Sequence, residues 1–194
     1  MWYTLNFPLT AGKEKVFNID NSRPGGGTRT IGYWKNWNSY SHDGAFVDRA
    51  AKTGNHLLDE FLSTIAIGNF GAGRPAGALN LATAVHILSK EDTSGKGHAN
   101  DAVYALAAQL LAAKANVAAG AAVSPTAANA IADADKLLYN GGTLSDGITI
   151  ISSDDAAHFS DTGDLWKGGK TATAMRTLAL QLANILDQYN NGTL

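Results

Sequence analysis

The strongest constraint on the fold is a run of helix-forming residues between about Asn100 and Ala119. This run is rich in Ala, Leu, Gln and Lys, which have the highest helix propensities, and a glycine follows it. Ser124 and Pro125 then mark a second helix, because the hydroxyl caps the first turn and proline loses no hydrogen bond there. This second helix is predicted to end at Leu138.

Apolar residues at helical spacing predict three further helices. One covers residues 56–67 with Asn55 as its N-cap, one lies around residues 79–88, and the last covers residues 172–189. The β-branched residues from Ile148 to Ile151 predict a short strand. The predicted fold class is therefore mainly α, a helical bundle with a small β element.

The N-terminal segment has the period of a strand. One face is apolar and carries Tyr3, Leu5, Phe7 and Leu9, and the residues between them are mostly polar. A Gly-rich stretch follows. We therefore divide the chain into an extended N-terminal arm and hinge, residues 1–27, and a single helical domain, residues 28–194. The arm and the strand near Ile148 are expected to form the β element.

Composition favours a protein that works outside the cell. Only 16 % of the residues are charged and the formal net charge is −2, which gives no electrostatic grip on nucleic acid. No apolar run approaches the roughly 20 residues that cross a bilayer, so we expect no membrane insertion. We expect an extracellular or cell-surface location, with the signal peptide absent from this chain because its first residues lack a basic and an apolar region.

The densest aromatic cluster consists of Tyr33, Trp34, Trp37 and Tyr40. In a helix, Tyr33, Trp37 and Tyr40 would share one face. Rings flanked by amides and hydroxyls are typical of glycan-binding sites, whereas large aromatic side chains also dominate protein cores. The sequence leaves both interpretations open.

A polar loop contains four aspartates, Asp154, Asp155, Asp161 and Asp164, together with one histidine. Calcium prefers such oxygen ligands, and it is the one cofactor that the sequence suggests. The spacing does not fit an EF-hand loop, and Asp and Ser are also common in turns and caps. A hydrolase that takes its acid and base from this loop is the weakest alternative.

The sequence carries no motif of a common enzyme class. It has no cysteine, no G-x-S-x-G elbow and no H-E-x-x-H pair, which removes the signatures of two covalent mechanisms and of a zinc hydrolase. His86 lies in an apolar stretch, which favours a hydrogen-bonded boundary residue. We therefore predict that the protein is not an enzyme.

Three segments carry a family resemblance. Thr30–Asn36 resembles the G-[YF]-W-K-N-H motif of a domain found in secreted bacterial proteins. Ala107–Val117 is similar to the L-A-x-Q-L-I-A-A-K-L-N helix of that family, and Leu186–Gly192 to its closing L-D-x-[YF]-N-N-G. The order and rough spacing agree, so the resemblance covers about residues 28–192.

The resemblance implies an exported or surface protein and names no ligand, since the family has no established activity. Trp37 stands where the family has histidine, and the P-E-A-W segment that follows in the family is missing. The helix-end residues Lys114 and Asn116 are interpreted as parts of a helix terminus, where a cation and an amide are favourable.

Two functions follow as hypotheses. The first is an extracellular structural protein, a filament or surface-layer subunit whose partner is a second copy. Its arm pairs within its own domain or reaches the sheet edge of a neighbour, and only the second arrangement makes an assembly contact. The second is a carbohydrate-binding module in which the aromatic cluster contacts glycans.

Overall fold

The computed structural model describes residues 27–160 and 170–194 of the chain. The helices within these residues are α1 (Ile31–Asn36), α2 (Gly44–Lys52), α3 (Leu81–Leu88), α4 (Ala102–Ala118), α5 (Pro125–Leu138) and α6 (Lys170–Asn190). A two-stranded sheet consists of β1 (Gly142–Thr143) and β2 (Ile150–Ile151). This confirms the predicted fold class, mainly α with a small β element.

Helix α4 is the centre of the bundle. It contacts α1, α3, α5 and α6, and the four consecutive residues Leu110, Leu111, Ala112 and Ala113, which point to different sides of the helix, are all fully buried. A helix that is apolar all round is stable only when other elements cover every side. The other helices are therefore arranged around α4.

Capping side chains fix the helix starts. Ser124 accepts a hydrogen bond from the backbone N–H of Ala127, so α5 begins at Pro125 and ends at Leu138, as predicted. Asp101 caps α4 in the same way, so α4 begins at Ala102, two residues after the predicted start near Asn100. Helix α6 ends at the Asn-Asn-Gly stop, as the sequence indicated.

The helix predicted for residues 56–67 is wrong. A single 3₁₀ turn, Leu58–Glu60, and a series of turns take its place. The Glu60 carboxylate accepts from the Leu57 N–H at 2.8 Å, and the Leu58 N–H donates to the carbonyl of Trp37 at 3.0 Å. Both donors thus have non-helical partners, and the apolar pattern reflects burial in an irregular segment.

The β element is a hairpin after α5. Its strands are antiparallel, with Gly142 opposite Ile151 and Thr143 opposite Ile150. The predicted strand near Ile148 thus exists two residues later, and its partner in the described chain is β1. The arm residues Tyr3, Leu5, Phe7 and Leu9, which were predicted to pair with it, lie outside the described residues.

None of the helices in residues 27–160 and 170–194 combines the length and apolar character that a membrane crossing requires.

Candidate functional site

The structure removes Trp34 from the predicted glycan platform. Its side chain is fully buried, and its ring meets Phe61 edge-on at 6.0 Å between centroids. A ring in this environment has no face for a sugar, so its assignment as a ligand contact is corrected: Trp34 belongs to the core.

The rings of Tyr33 and Trp37 stack on each other, with centroids 5.3 Å apart and planes 10° from parallel. Trp37 also packs against Phe46 at 5.0 Å, and His42 stacks on the same phenylalanine at 3.8 Å. The Tyr33 hydroxyl donates to the carbonyl of His56, and burial raises the pKa of Tyr33. These half-buried rings mainly join α1 to α2 and to the turns that follow.

Tyr40 leaves the predicted face because α1 ends at Asn36. Its side chain is 58 % exposed. The preceding residue, Ser39, donates to the Asp59 carboxylate from both its backbone and its hydroxyl. Asp59 also lines a shallow recess of about 340 Å³, together with Val47, Ala51, Leu57 and Glu60. The exposed ring of Tyr40, adjacent in sequence to Ser39 and its contact with Asp59, is what remains of the glycan site.

The predicted calcium ligands are not assembled in the part of the chain that the structure describes. Asp154 and Asp155 lie in a 3₁₀ turn, where Asp155 exchanges hydrogen bonds with Ser152 as part of a cap. Asp161 and Asp164 lie outside the described residues. Residues 27–160 and 170–194 contain no group of three or more acidic or histidine side chains placed to hold a metal ion.

A buried amide network was not predicted from the sequence. Asn116 is 1 % exposed, and its side-chain oxygen accepts from the backbone N–H of Arg29 at 2.8 Å and from the Trp34 indole N–H at 3.0 Å. Its NH₂ group donates to the carbonyl of Arg29 and to the side-chain oxygen of Asn190, each at 2.9 Å. All four hydrogen-bonding positions of the carboxamide are therefore used.

The network extends along α4 and α6. The NH₂ group of Asn190 donates to both the backbone and the side-chain oxygen of Gln109, and Gln109 in turn donates to Asp187 at 2.7 Å. Trp34, Asn116 and Asn190 come from the three segments that carry the family resemblance. The structure thus brings these segments together around one buried amide.

The same network holds the chain where it enters the domain. Arg29 is bonded through both its N–H and its C=O to Asn116. Its guanidinium lies 4.9 Å above the ring of Tyr33. A Cβ placed on Gly192 would come within 3.3 Å of the Thr28 hydroxyl. The root of the arm, which we define as Thr28 and Arg29, is therefore adjacent to the end of α6.

Lys114, from the second of these segments, has a separate role. Its ammonium group donates to the carbonyl of Ala66 and forms an ion pair with Asp135 at 2.6 Å. Burial lowers the pKa of Lys114, opposed by the Asp135 charge. Lys114 and Asn116 lie near the end of α4, as predicted, since the helix ends at Ala118. Their side chains do more than favour a helix terminus, because both join α4 to other segments.

Three histidines form pairs with carboxylates, and one of them is the exposed His56, which contacts Glu60 at 2.8 Å. His86 contacts Glu91 at 3.0 Å, which agrees with its interpretation as a hydrogen-bonded boundary residue, and the buried His98 contacts Asp92 at 2.9 Å. His98 also stacks on the ring of Tyr104 at 4.4 Å. The cavity beside these residues has a volume of about 10 Å³, which is room for about one water molecule. The described residues thus leave no room for a substrate in this cavity.

The hairpin presents the most exposed large apolar side chains of the described chain. Ile148 is 84 % exposed and Ile150 is 72 % exposed. Ile151, the second residue of β2, is buried in the core. Asp146 closes the turn, accepting from the backbone N–H groups of Ile148 and Thr149. The hairpin is fastened to α5 because Ser145 donates from its backbone and its hydroxyl to Asp133.

Comparison of the chain with protein-family models, with curated proteins and with solved structures gives no match. The resemblance based on the three segments therefore stays a prediction.

Proposed function

We propose that this protein is an extracellular structural subunit that assembles with copies of itself through its N-terminal arm. The observation that carries the proposal is the fixation of the arm's root. Arg29 is the third residue of the described chain, and its backbone N–H and C=O both bond to the buried carboxamide of Asn116.

This fixation matters because an arm that links subunits must leave its own domain in a defined direction. A root that swings freely loses conformational entropy on every contact, and a preorganised root reduces that cost. Here Asn116 is itself held by Trp34 and Asn190. The direction of the chain at Arg29 is thus tied to the core helices α1, α4 and α6.

The adjacency of Thr28 and Gly192, the two ends of the helical domain, adds support. Because Thr28 and Gly192 nearly touch, a pull on both ends of the domain would act on the Asn116 network and would not have to unravel the helices in between. This arrangement suits a subunit that is held at its ends within an extracellular structure. The weakly charged composition and the family resemblance agree with that location.

The test is the mass and shape of the protein, measured by light scattering after size exclusion and by negative-stain microscopy. We expect the full chain to form regular filaments or sheets, and the chain without residues 1–24 to be a folded monomer. Circular dichroism and urea unfolding establish that the shortened chain is folded. A full chain that stays monomeric as its concentration is raised, or a shortened chain that still polymerises, would overturn the proposal.

A second function, glycan binding, is favoured by one observation, the 58 % exposure of Tyr40. The ring stands next to Ser39, which bonds to Asp59 at the edge of the recess described above. A sugar could stack on the Tyr40 ring while its hydroxyls donate to the carboxylates of Asp59 and Glu60, which line the recess. The buried Trp34 takes no part in this version.

A glycan array followed by a tryptophan-fluorescence titration tests this second function, since Trp37 packs against Phe46, the residue before Val47 in the recess. The Tyr40→Ala variant should lose any binding that the wild type shows. Tyr139→Ala is the control, because the Tyr139 ring contacts the Arg74 guanidinium and is not among the residues that line the recess. Absence of binding across plant, bacterial and host glycans would leave the exposed ring without a ligand.

A further inference from the structure

We propose that the outer edge of β2 in one copy of the protein accepts residues 3–9 of a second copy as a third strand. This inference rests on the proposed function and adds the acceptor surface, the donor residues and their register.

The side chains mark this edge as a contact surface. Ile148 and Ile150 are 84 % and 72 % exposed; Ile150 is the first residue of β2, and Ile148 lies in the bend that precedes it. Exposed apolar edge strands are templates for further pairing, and soluble proteins usually protect them with charges, proline or a covering segment. Within residues 27–160 and 170–194 no third strand covers this one.

The backbone of β2 has the matching orientation. The N–H of Leu144 donates to the carbonyl of Thr149 at 2.8 Å, so these two residues form a hydrogen-bonded pair of the antiparallel ladder. Such pairs alternate along a ladder. The next pair, Thr143 and Ile150, is therefore a non-hydrogen-bonded one. The N–H and C=O of Ile150 consequently point away from β1, toward the outer edge.

The arm sequence fits this edge in one register. A residue that exchanges hydrogen bonds with Ile150 has its side chain on the same face as Ile150, because directly opposed residues share a face. If Phe7 takes that place, the odd-numbered apolar residues of the arm lie on the face of the exposed Ile150. The backbone groups of the even-numbered residues then face outward.

Pro8 is consistent with the same register. Proline has no N–H to donate, so within sheets it is confined to edges and bulges. As an even-numbered residue, Pro8 would point its nitrogen away from β2, where no donor is needed. Its position would also prevent a fourth strand from adding there, so the contact remains limited to one arm and one edge.

The length of the connecting chain permits exchange between copies. Residues 10–27 span at most about 60 Å when extended, which exceeds twice the roughly 25 Å length of α4. The donor root is held by α4 and α6, and the acceptor hairpin is held by α5. Each copy therefore presents one donor and one different acceptor. Such a head-to-tail contact continues into a filament when the rotation does not close.

The first experiment compares full-length variants by light scattering. Ile148→Lys with Ile150→Lys blocks the edge, and Leu5→Lys with Phe7→Lys blocks the arm; Leu180→Lys is the control, because Leu180 is another exposed apolar residue, on α6. We expect both blocked variants to be monomers and the control to assemble. An equimolar mixture of the two blocked variants should give a dimer and nothing larger, since one supplies an intact arm and the other an intact edge.

The outcomes separate the two proposals. An edge-blocked variant that assembles like the wild type overturns this inference and leaves the proposed function intact. Blocked variants that stay monomeric when mixed also overturn it, because the arm and the edge then do not meet between copies. A wild type that is monomeric overturns the proposed function and this inference together.

A second experiment tests the register and does not depend on charged substitutions. The chain has no cysteine, so Ile150→Cys in one chain and Phe7→Cys in another introduce a single possible heterodimeric disulfide. Asn6→Cys is the matched control, because its side chain would lie on the opposite face. We expect oxidation to join the first pair several-fold faster than the control pair on a non-reducing gel. Equal rates would overturn the register.

Discussion

The amide network around Asn116 and the hairpin that ends in β2 differ in opposite ways from an average protein region. In the network, polar groups are buried, and each hydrogen-bonding position of the Asn116 carboxamide has a partner. In the hairpin, the large apolar side chains of Ile148 and Ile150 face solvent. One region is polar and enclosed, whereas the other is apolar and open.

The difference shows what each region contributes. A buried polar group without its partner costs a large part of its desolvation energy, so a fully bonded network makes one arrangement of α1, α4 and α6 much more stable than its alternatives. An exposed isoleucine adds almost nothing to the stability of its own domain. The network therefore determines the fold, and the hairpin is available for contacts with other molecules.

The comparison is tested most strongly by Asn116→Ala. This change removes four hydrogen bonds and leaves the Trp34 indole N–H and the Arg29 backbone without their partner. We expect the free energy of unfolding to fall by about 3 to 5 kcal/mol, since each buried group left unpaired costs about 1 to 3 kcal/mol and neighbours relax in part. Urea unfolding followed by circular dichroism measures the loss.

Asn184→Ala is the matched control, because Asn184 is an exposed asparagine in α6. Its free energy of unfolding should change by less than about 0.5 kcal/mol. If Asn116→Ala costs no more than this control, the network does not stabilise the fold and the first half of the comparison fails.

A smaller effect is expected for Trp34→Phe, which keeps an aromatic ring but removes the N–H that donates to Asn116. The loss of one buried hydrogen bond and part of the indole predicts a decrease of about 2 kcal/mol in the free energy of unfolding. Combined with Asn116→Ala, the two losses should be less than additive by about 1 kcal/mol, as for residues in direct contact. Strict additivity in the double-mutant cycle would contradict a coupled network.

The helices that carry this network were largely predictable from the sequence. Helix α5 has local signals at both ends, Ser124 with Pro125 at its start and an Asn-Gly-Gly stop after Leu138, and the observed bounds agree. The residue types of α4 favour a helix irrespective of context. Local chemistry is sufficient where capping, propensity and apolar spacing agree.

The remainder depends on contacts between distant segments. Residues 56–67 have helical spacing, but the backbone of Leu58 is bonded to Trp37, and tertiary packing overrides the pattern. Gly68 shows the same dependence. Its φ is +54°, and a Cβ there would lie 2.5 Å from the carbonyl oxygen of Phe159, far along the chain. Neither partner can be inferred from the residues nearby.

The network itself had a signal that could have been used. Asn116 stands in a helix that is otherwise almost entirely apolar, and a buried amide requires partners for all its polar atoms. Such a residue predicts that amides, indoles or backbone groups elsewhere in the chain converge on it. The identity of those partners, Trp34, Arg29 and Asn190, follows only from the packing of α1 and α6.

Acid should affect the two regions differently. A hydrogen bond from the Thr149 hydroxyl, and then the backbone N–H groups of Ile148 and Thr149, lower the pKa of Asp146. Because this folded-state pKa is lowered, the contribution of Asp146 is complete above the ordinary aspartate range and is lost as the pH falls through the lowered value. The central network groups, Asn116, Trp34 and Asn190, carry no charge.

We therefore expect acidification to shift the NMR signals of the Ile148 and Thr149 amides before that of the Arg29 amide. The Asp146→Asn variant should remove the pH dependence of the hairpin signals and leave the Arg29 amide unchanged. If all three amides shift together in a single transition, the hairpin and the network unfold as one unit and the distinction between them is lost.

The smallest effect is predicted for the exposed isoleucines themselves. Ile148→Ser and Ile150→Ser should each change the free energy of unfolding by less than about 0.5 kcal/mol, because these side chains gain little burial on folding. Ile151→Ser is the control in the same hairpin. That side chain is only 2 % exposed, so its loss should cost about 2 to 4 kcal/mol.

Unfolding is measured at protein concentrations where light scattering shows monomers, since assembly would add its own stabilisation. If the two exposed isoleucines cost as much as Ile151, they are part of the core of a single domain, and the hairpin is not a surface kept open for a second chain.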